Sequence, residues 1–326
     1  MGDEWRKAHI LGTGSYGTVY LAAKIDSRLS VSMAAVKSAR SVSYWNWLNK
    51  EREILSELIG CQEIVQCFGQ DISTENNIEV YNLLLEYASH GTLADLIKNY
   101  QGNMPESLVA CYSYMLLKGL YHVHSKGFVH CDMKPENILV FPTRNGSNIH
   151  NLKIADFGLA KKSAEKEILI PGPSNFNRGT LLYASPESVS WGIHKPATDI
   201  WSLGCIVVEM MTGKPLWNGR TSTQNLIHQI VFGHPHIPEN ISVFAKDFLK
   251  LCFKKNEHER GTACMLLCHP FISNNLSALP PNFKNPVVTN PFGSSIWVST
   301  LDLFSTPSKP EEPTDHCSCS GTSIIY

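Results

Sequence analysis

His130-Cys131-Asp132-Met133-Lys134-Pro135-Glu136-Asn137 is followed downstream by Ile154-Ala155-Asp156-Phe157-Gly158. The first run sets an acid, a lysine and an amide at i, i+2 and i+5, the spacing at which one loop can hold a hydroxyl, a phosphate and a metal. The second places another acid where an apolar strand ends and a glycine lets the chain turn away. Two acids and an asparagine facing a nucleotide can coordinate magnesium and accept a proton, which is the equipment of phosphoryl transfer. A polar surface turn accounts for any one of these residues alone. It does not account for all of them at this spacing, with an amphipathic stretch before them and Ile138-Leu139-Val140 after.

Upstream, Gly12, Gly14 and Gly17 stand at G-x-G-x-x-G spacing, followed by Val19. Glycines in a turn between strands let backbone amides press on phosphates without side-chain obstruction. Alone the pattern is weak, and a dinucleotide-binding reading would need a helix next; Val19-Tyr20-Leu21 reads instead as a strand. Lys37 ends the strand Ala34-Ala35-Val36-Lys37. An isolated lysine there would ordinarily be solvated. Residues 42–59, however, carry a helical pattern in which Leu48, Leu55 and Leu58 share a stripe and Glu51 falls on that same stripe, while Glu53 and Glu57 point away. An ammonium holding the α- and β-phosphates and pairing with Glu51 satisfies both charges. Leaving either one buried and unpaired would cost ~3–5 kcal/mol.

The rest of the chain reads around these points. Residues 1–88 are β-rich with one helix: strands are expected around the glycine turn (10–21), at 33–37, at 65–68 and at 79–87. Residues 89–274 turn helical, with helices at 93–99, 108–125, 198–212 and 242–253, two short strands around 137–154, and a polar surface insertion at 143–151. Residues 275–326 are rich in Pro, Ser, Thr and Asn and read as a largely disordered tail, with a short docked piece at 296–304. The apolar run 200–211 contains Ser202 and Glu209 and is too short to span a bilayer, so it reads as a buried helix. The 28 Lys and Arg nearly cancel the 29 Asp and Glu, leaving no broad basic field for nucleic acid or an anionic membrane. Ten cysteines lack zinc-site spacing and no signal peptide precedes them, so reduced thiols in a cytoplasmic or nuclear protein are expected. Arg6 stands where a myristoylation signal needs Ser or Thr.

Together these residues resemble the eukaryotic protein kinases over roughly residues 5–272. Ser185-Pro186-Glu187, Asp199-x-Trp201-Ser202-x-Gly204 and Arg260 add to the match, and Lys134 with Gly179-Thr180 are the serine/threonine-kinase choices. The strings AVKSA, LLLEYASHGTLADLI, VHCDMKPENILV, KIADFGLAK and GTLLYASPE are similar to those of the plant MEKK-like MAP kinase kinase kinases. The resemblance implies an α+β, bilobal fold: a small five-stranded antiparallel sheet with one helix, then a larger, mainly helical lobe, with ATP between them. It implies adenine between Leu11, Val19 and Ala35 above and Leu139 below, bonded to backbone at Glu86 and Ala88 with Leu85 as gatekeeper. Lys37, paired with Glu51, would hold the α- and β-phosphates, Asp132 and Lys134 would act in transfer, and Asn137 and Asp156 would bind Mg2+. Arg260 would pair with Glu187, and Thr180 would support Asp132. The implied partner is a protein substrate, a MAP kinase kinase, acted on by a monomeric kinase domain. A kinase of another pathway and a catalytically dead scaffold are the alternatives, and retention of Lys37, Glu51, Asp132, Asn137 and Asp156 weighs against the second.

Three residues depart from the family pattern. Ser185 replaces Ala with little consequence, and Gly261 replaces Pro and loosens its loop. Cys131 replaces the arginine that binds a phosphate on the activation segment, which implies weak dependence on phosphorylation of residues 159–184. Thr306-Pro307 is a candidate proline-directed phosphorylation site.

Overall fold

A computed structural model describes residues 5–14, 17–25, 31–39, 41–143, 149–165 and 178–279. In the smaller lobe, strands β1 (Trp5–Thr13), β2 (Gly17–Ile25), β3 (Val31–Ala39), β4 (Cys67–Glu75) and β5 (Ile78–Leu85) form an antiparallel sheet in the order β1-β2-β3-β5-β4. The period-2 pattern of β3 explains its two-sided burial. Ala34 and Val36 join Ala22 and Leu84 on one face, while Ala35 and Ala39 join the main core on the other. Lys37 lies between those last two, on the face that meets helix α1 (Trp45–Glu57). On α1, Leu48, Glu51, Ile54 and Leu55 are buried, and Glu53 and Glu57 are exposed.

Two expectations for this lobe need correction. The strand read at 65–68 begins at Cys67 and runs on to Glu75. Among the described residues it is an edge strand paired only with β5, with a register irregularity between Cys67 and Gly69, so its sequence is polar and does not advertise its length. The helix read from residue 42 opens with a 3-10 turn at Val42–Tyr44.

The larger lobe contains α2 (Leu93–Tyr100), α3 (Glu106–Ser125), α4 (Pro186–Trp191), α5 (Pro196–Thr212), α6 (Thr223–Phe232), α7 (Val243–Cys252), α8 (Ala263–Leu267) and α9 (Pro270–Ser273). It also holds the short strands β6 (Phe128–Val129), β7 (Ile138–Phe141), β8 (Asn151–Ile154) and β9 (Lys161–Lys162), paired β6-β9 and β7-β8. A Thr92–Asp95 capping box starts α2 cleanly. Helices α3 and α5 pack together at the centre, and the apolar run read as a buried helix lies inside α5. Among the described residues no helix is long and apolar enough to cross a membrane. The eight described cysteines are free thiols; Cys317, Cys319, Thr306 and the piece at 296–304 lie outside the described residues. Asn151, read as the end of a surface insertion, is instead buried as the first residue of β8.

The segment after α1 joins the two lobes. Ile154 donates its N–H to the carbonyl of Glu63 at 2.8 Å, and Val65 donates to the carbonyl of Ile154 at 2.9 Å. Strand β8, two residues before Asp156, is thereby fixed to the smaller lobe.

Candidate active site

The glycine turn closes with Gly14 N–H donating to the carbonyl of Gly17 at 2.9 Å. A Cβ on Gly17 would meet the Ser38 carbonyl oxygen at 2.4 Å, so only glycine lets β2 lie this close to β3. A Cβ on Gly12 would meet nothing within 4 Å, which leaves that side of the turn open to a ligand. A strand, not a helix, follows the glycines, which removes the dinucleotide-binding reading.

Val19 pairs with Gly12 on one side and Lys37 on the other, and Ala35 pairs with Leu21 and Leu85. These pairings put Val19, Ala35 and the proposed gatekeeper on one stretch of sheet beside residues 86–88. Leu11 is 41% exposed on β1. Leu139 lies on β7, bridged to Thr92 just beyond that connecting segment.

The Lys37 ammonium lies 2.6 Å from Glu51 Oε2 and 2.8 Å from Asp156 Oδ1. Lys37 is 6% and Glu51 1% exposed. Burial opposes the charge on Lys37, but the carboxylates of Glu51 and Asp156 overcome it and raise its pKa. Burial also works against the charge of Asp156, and Lys37 outweighs it, holding that carboxyl below its usual range. The second Glu51 oxygen accepts the Phe157 N–H at 3.2 Å, so one carboxylate binds the lysine and sets the backbone after Asp156. The buried Phe157 ring packs edge-on against His130, centroids 4.7 Å apart.

Among the described residues, Asp132 is held by donors alone. Thr180 Oγ1 donates to Oδ1 at 2.8 Å, Asn137 Nδ2 to Oδ2 at 3.0 Å, and the Lys134 ammonium lies 2.9 Å from Oδ2. Lys134 also donates to Thr180 Oγ1 at 2.9 Å. The lysine, threonine and asparagine therefore fix the carboxylate and leave it acceptor capacity. Thr180 follows Gly179, which has φ +90° and where a Cβ would stand 2.5 Å from the Cys131 carbonyl oxygen; glycine alone permits that approach. Asn137 accepts the Ala155 N–H on its own carbonyl at 2.9 Å, which brings the asparagine beside Asp156.

The loop is anchored from below by Asp199, fully buried on α5. It accepts the N–H of His130 at 2.9 Å, the N–H of Cys131 at 3.0 Å and a hydrogen bond from His124 Nε2 at 2.9 Å. Burial alone would raise this carboxyl; the His124 hydrogen bond and the neighbouring histidines outweigh it and hold it below its usual range. A depressed folded-state pKa contributes stability above the unfolded value of about 4, and that stability is lost as pH falls through the lower folded value. Urea unfolding at stepped pH should therefore show Asp199→Asn destabilised at neutral pH, with the gap to the unaltered protein closing below about pH 4. A gap independent of pH would contradict the ionised anchor.

Arg260 donates to both oxygens of Glu187, at 2.6 and 3.0 Å, as the resemblance implied, and its guanidinium also lies 5.1 Å from the Trp201 ring centroid. The Cys131 thiol is buried, with Sγ 3.5 Å from the Val129 carbonyl. Two contributors escaped sequence reading. His130 accepts the Asp132 N–H on Nδ1 and donates Nε2–H to the Ala155 carbonyl at 3.0 Å, and His124 supports Asp199. Both histidines were visible in the sequence, but their partners stand 25 and 75 residues away.

Lys37, Glu51 and Asp156 thus meet in one cluster, and Asp132, Lys134 and Asn137 in a second one joined to it through Ala155. Among the described residues no three His, Cys, Asp or Glu side chains gather as a metal site. One carboxylate and one amide suit Mg2+, which takes its remaining ligands from phosphates and water.

A protein kinase domain model matches residues 5–272. The chain is 41% identical over 280 residues to mitogen-activated protein kinase kinase kinase 20 of Arabidopsis thaliana, covering 84% of this chain and 79% of that protein. It is 36% identical to kinase kinase kinase 18 of the same plant, over 88% of this chain and 81% of that protein. With kinase kinase kinase 17 the identity is also 36%, over 83% and 70%. The chain belongs to the protein kinase family, as a serine/threonine kinase of the MAP kinase kinase kinase type.

Proposed function

We propose that this kinase transfers the γ-phosphate of ATP to a serine or threonine hydroxyl of a MAP kinase kinase. The observation that carries the chemistry is the ion-paired cluster of Lys37, Glu51 and Asp156 beside the Asp132–Lys134–Asn137 loop. ATP supplies the phosphoryl group; Asp156 and Asn137 would hold Mg2+, which would offset the phosphate charge. Lys37, oriented by Glu51, holds the α- and β-phosphates. Asp132 orients the acceptor hydroxyl and takes its proton, and Lys134 neutralises charge at the γ-phosphate. Leu11, Gly12, Gly14, Gly17, Val19, Ala35, Leu139 and backbone at Glu86 and Ala88 hold the nucleotide. The catalytic unit comprises the lobes 1–88 and 89–274, acts as a monomer in the cytoplasm or nucleus, and carries residues 275–326 as a tail.

The test is purified protein with Mg-ATP against a panel of MAP kinase kinases, with a Lys37→Met control. Phosphate on the activation segment of a panel member, absent with the control, supports the proposal. Phosphorylation of a generic protein substrate with no panel member modified would favour a different pathway, and no transfer to anything would favour a scaffold.

Phosphorylation of the activation segment is proposed to matter little, because position 131 presents a buried thiol in place of a guanidinium. A Ser163→Ala, Ser174→Ala protein should keep most of its activity in the same assay; Ser174 lies outside the described residues. Loss of most activity would overturn this. It would point to Lys50, whose pKa is lowered by burial first and then by the nearby charge of Arg178.

A further inference from the structure

Lys153 is the least expected charge in the fold. It stands in the middle of β8, is 1% exposed, and no step of the proposed chemistry uses it. Its ammonium donates to both oxygens of Glu86, each at 2.8 Å, and lies 4.9 Å from the centroid of the Phe141 ring. Glu86 is itself buried, and its backbone is where adenine is proposed to bind.

The contacts around this pair close into a ring. Glu86 donates its N–H to the Gln66 carbonyl at 2.9 Å, and Gln66 returns its own N–H to Glu86 Oε2 at 3.3 Å. The Gln66 side-chain amide donates to the carbonyls of Ile64 at 2.9 Å and Cys61 at 3.2 Å. Ile64 in turn bridges to Ile154, the neighbour of Lys153. The circuit therefore runs from the connecting segment to the loop after α1, on to β8, and back through the ion pair. Three nucleotide-facing groups hang on it: the backbone at Glu86, Leu139 (the register partner of Lys153 on β7) and Asp156 two residues past Ile154.

We infer that Lys153 is a positioning residue for the nucleotide: its pairing with Glu86 fixes the adenine-binding backbone relative to the floor at Leu139 and the metal-binding Asp156. This rests on the nucleotide-site reading above. A buried ion pair gives little stability over apolar side chains of the same volume, because desolvation offsets its Coulomb gain. What two apolar side chains cannot supply is direction. A bidentate contact fixes the carboxylate, and with it the backbone, in one orientation.

The single variant Lys153→Met leaves a buried carboxylate without a counter-charge and can fail through folding alone. The decisive protein is the full chain carrying Glu86→Met with Lys153→Met, which removes the pair and nearly conserves volume. It should melt within about 4 °C of the unaltered protein. Its dissociation constant for Mg-ADP, measured by titration calorimetry, should rise about tenfold, and its KM for ATP should rise by more than its kcat falls. A double variant that fails to fold, or that folds and binds Mg-ADP within about twofold of the unaltered protein, overturns the inference, because the pair then acts on the fold alone. If the unaltered protein binds no Mg-ADP, the nucleotide reading fails first and the inference falls with it.

Discussion

An Asp132→Asn protein should bind Mg-ATP about as tightly as the unaltered kinase and transfer phosphate ~10²–10⁴-fold more slowly. The substitution is nearly isosteric, so the loop anchored on Asp199 should keep its shape. What changes is proton chemistry. Among the described residues every hydrogen-bonding neighbour of the carboxylate is a donor: the Thr180 hydroxyl, the Asn137 amide and the Lys134 ammonium. An amide NH2 at this position must face at least one of them and cannot accept the proton of an incoming hydroxyl. Steady-state kcat together with a nucleotide titration separates the two effects. A kcat within tenfold of the unaltered value would remove Asp132 from the chemistry.

Lys37→Met should fail in two ways at once. Removing an electrostatic donor from the phosphates lowers transfer by about 10²–10³-fold or more. It also strands Glu51, 1% exposed and 2.6 Å from the lost ammonium, at a cost of ~3–5 kcal/mol. Burial already pushes the Glu51 carboxyl up against the pull of Lys37, so without the lysine it would tend to fold protonated. A second variant separates the losses. Lys37→Met with Glu51→Gln removes the stranded charge and should regain most of the melting temperature without regaining transfer. If the double variant recovers activity as well, Lys37 serves the fold and not the phosphates.

The parts of the fold visible in the sequence are those whose signal is local. Glu51 could be placed because a charge on an apolar helical stripe contradicts its surroundings, and the contradiction points to a buried partner. The catalytic loop could be read because its acid, lysine and amide lie within six residues of each other. Strand β4 was misplaced because it is an edge: it pairs on one side only, so its residues 67–75 need no apolar alternation. Helices α4, α6, α8 and α9 had no strong period to show. They span four to ten residues, and α6 buries only Leu226 and Ile230. Lys153 was hidden for the opposite reason, since a lysine in Asn151-Leu152-Lys153-Ile154 reads as solvated until Glu86 is seen beside it. His124, His130 and the Glu86–Lys153 pair all act through partners far along the chain. Spacing cannot reveal such pairs; packing can.

A crystal structure of the protein with Mg2+ and a non-hydrolysable ATP analogue would test most directly whether these side chains serve one nucleotide. The expected result places the Lys37 ammonium on the α- and β-phosphates with Glu51 still paired. The metal should sit on oxygens of Asp156 and Asn137 at about 2.0–2.1 Å, and Asp132 should face the γ-phosphate. A nucleotide bound away from the glycine turn, or a Lys37 swung to solvent with Glu51 unpaired, would contradict it.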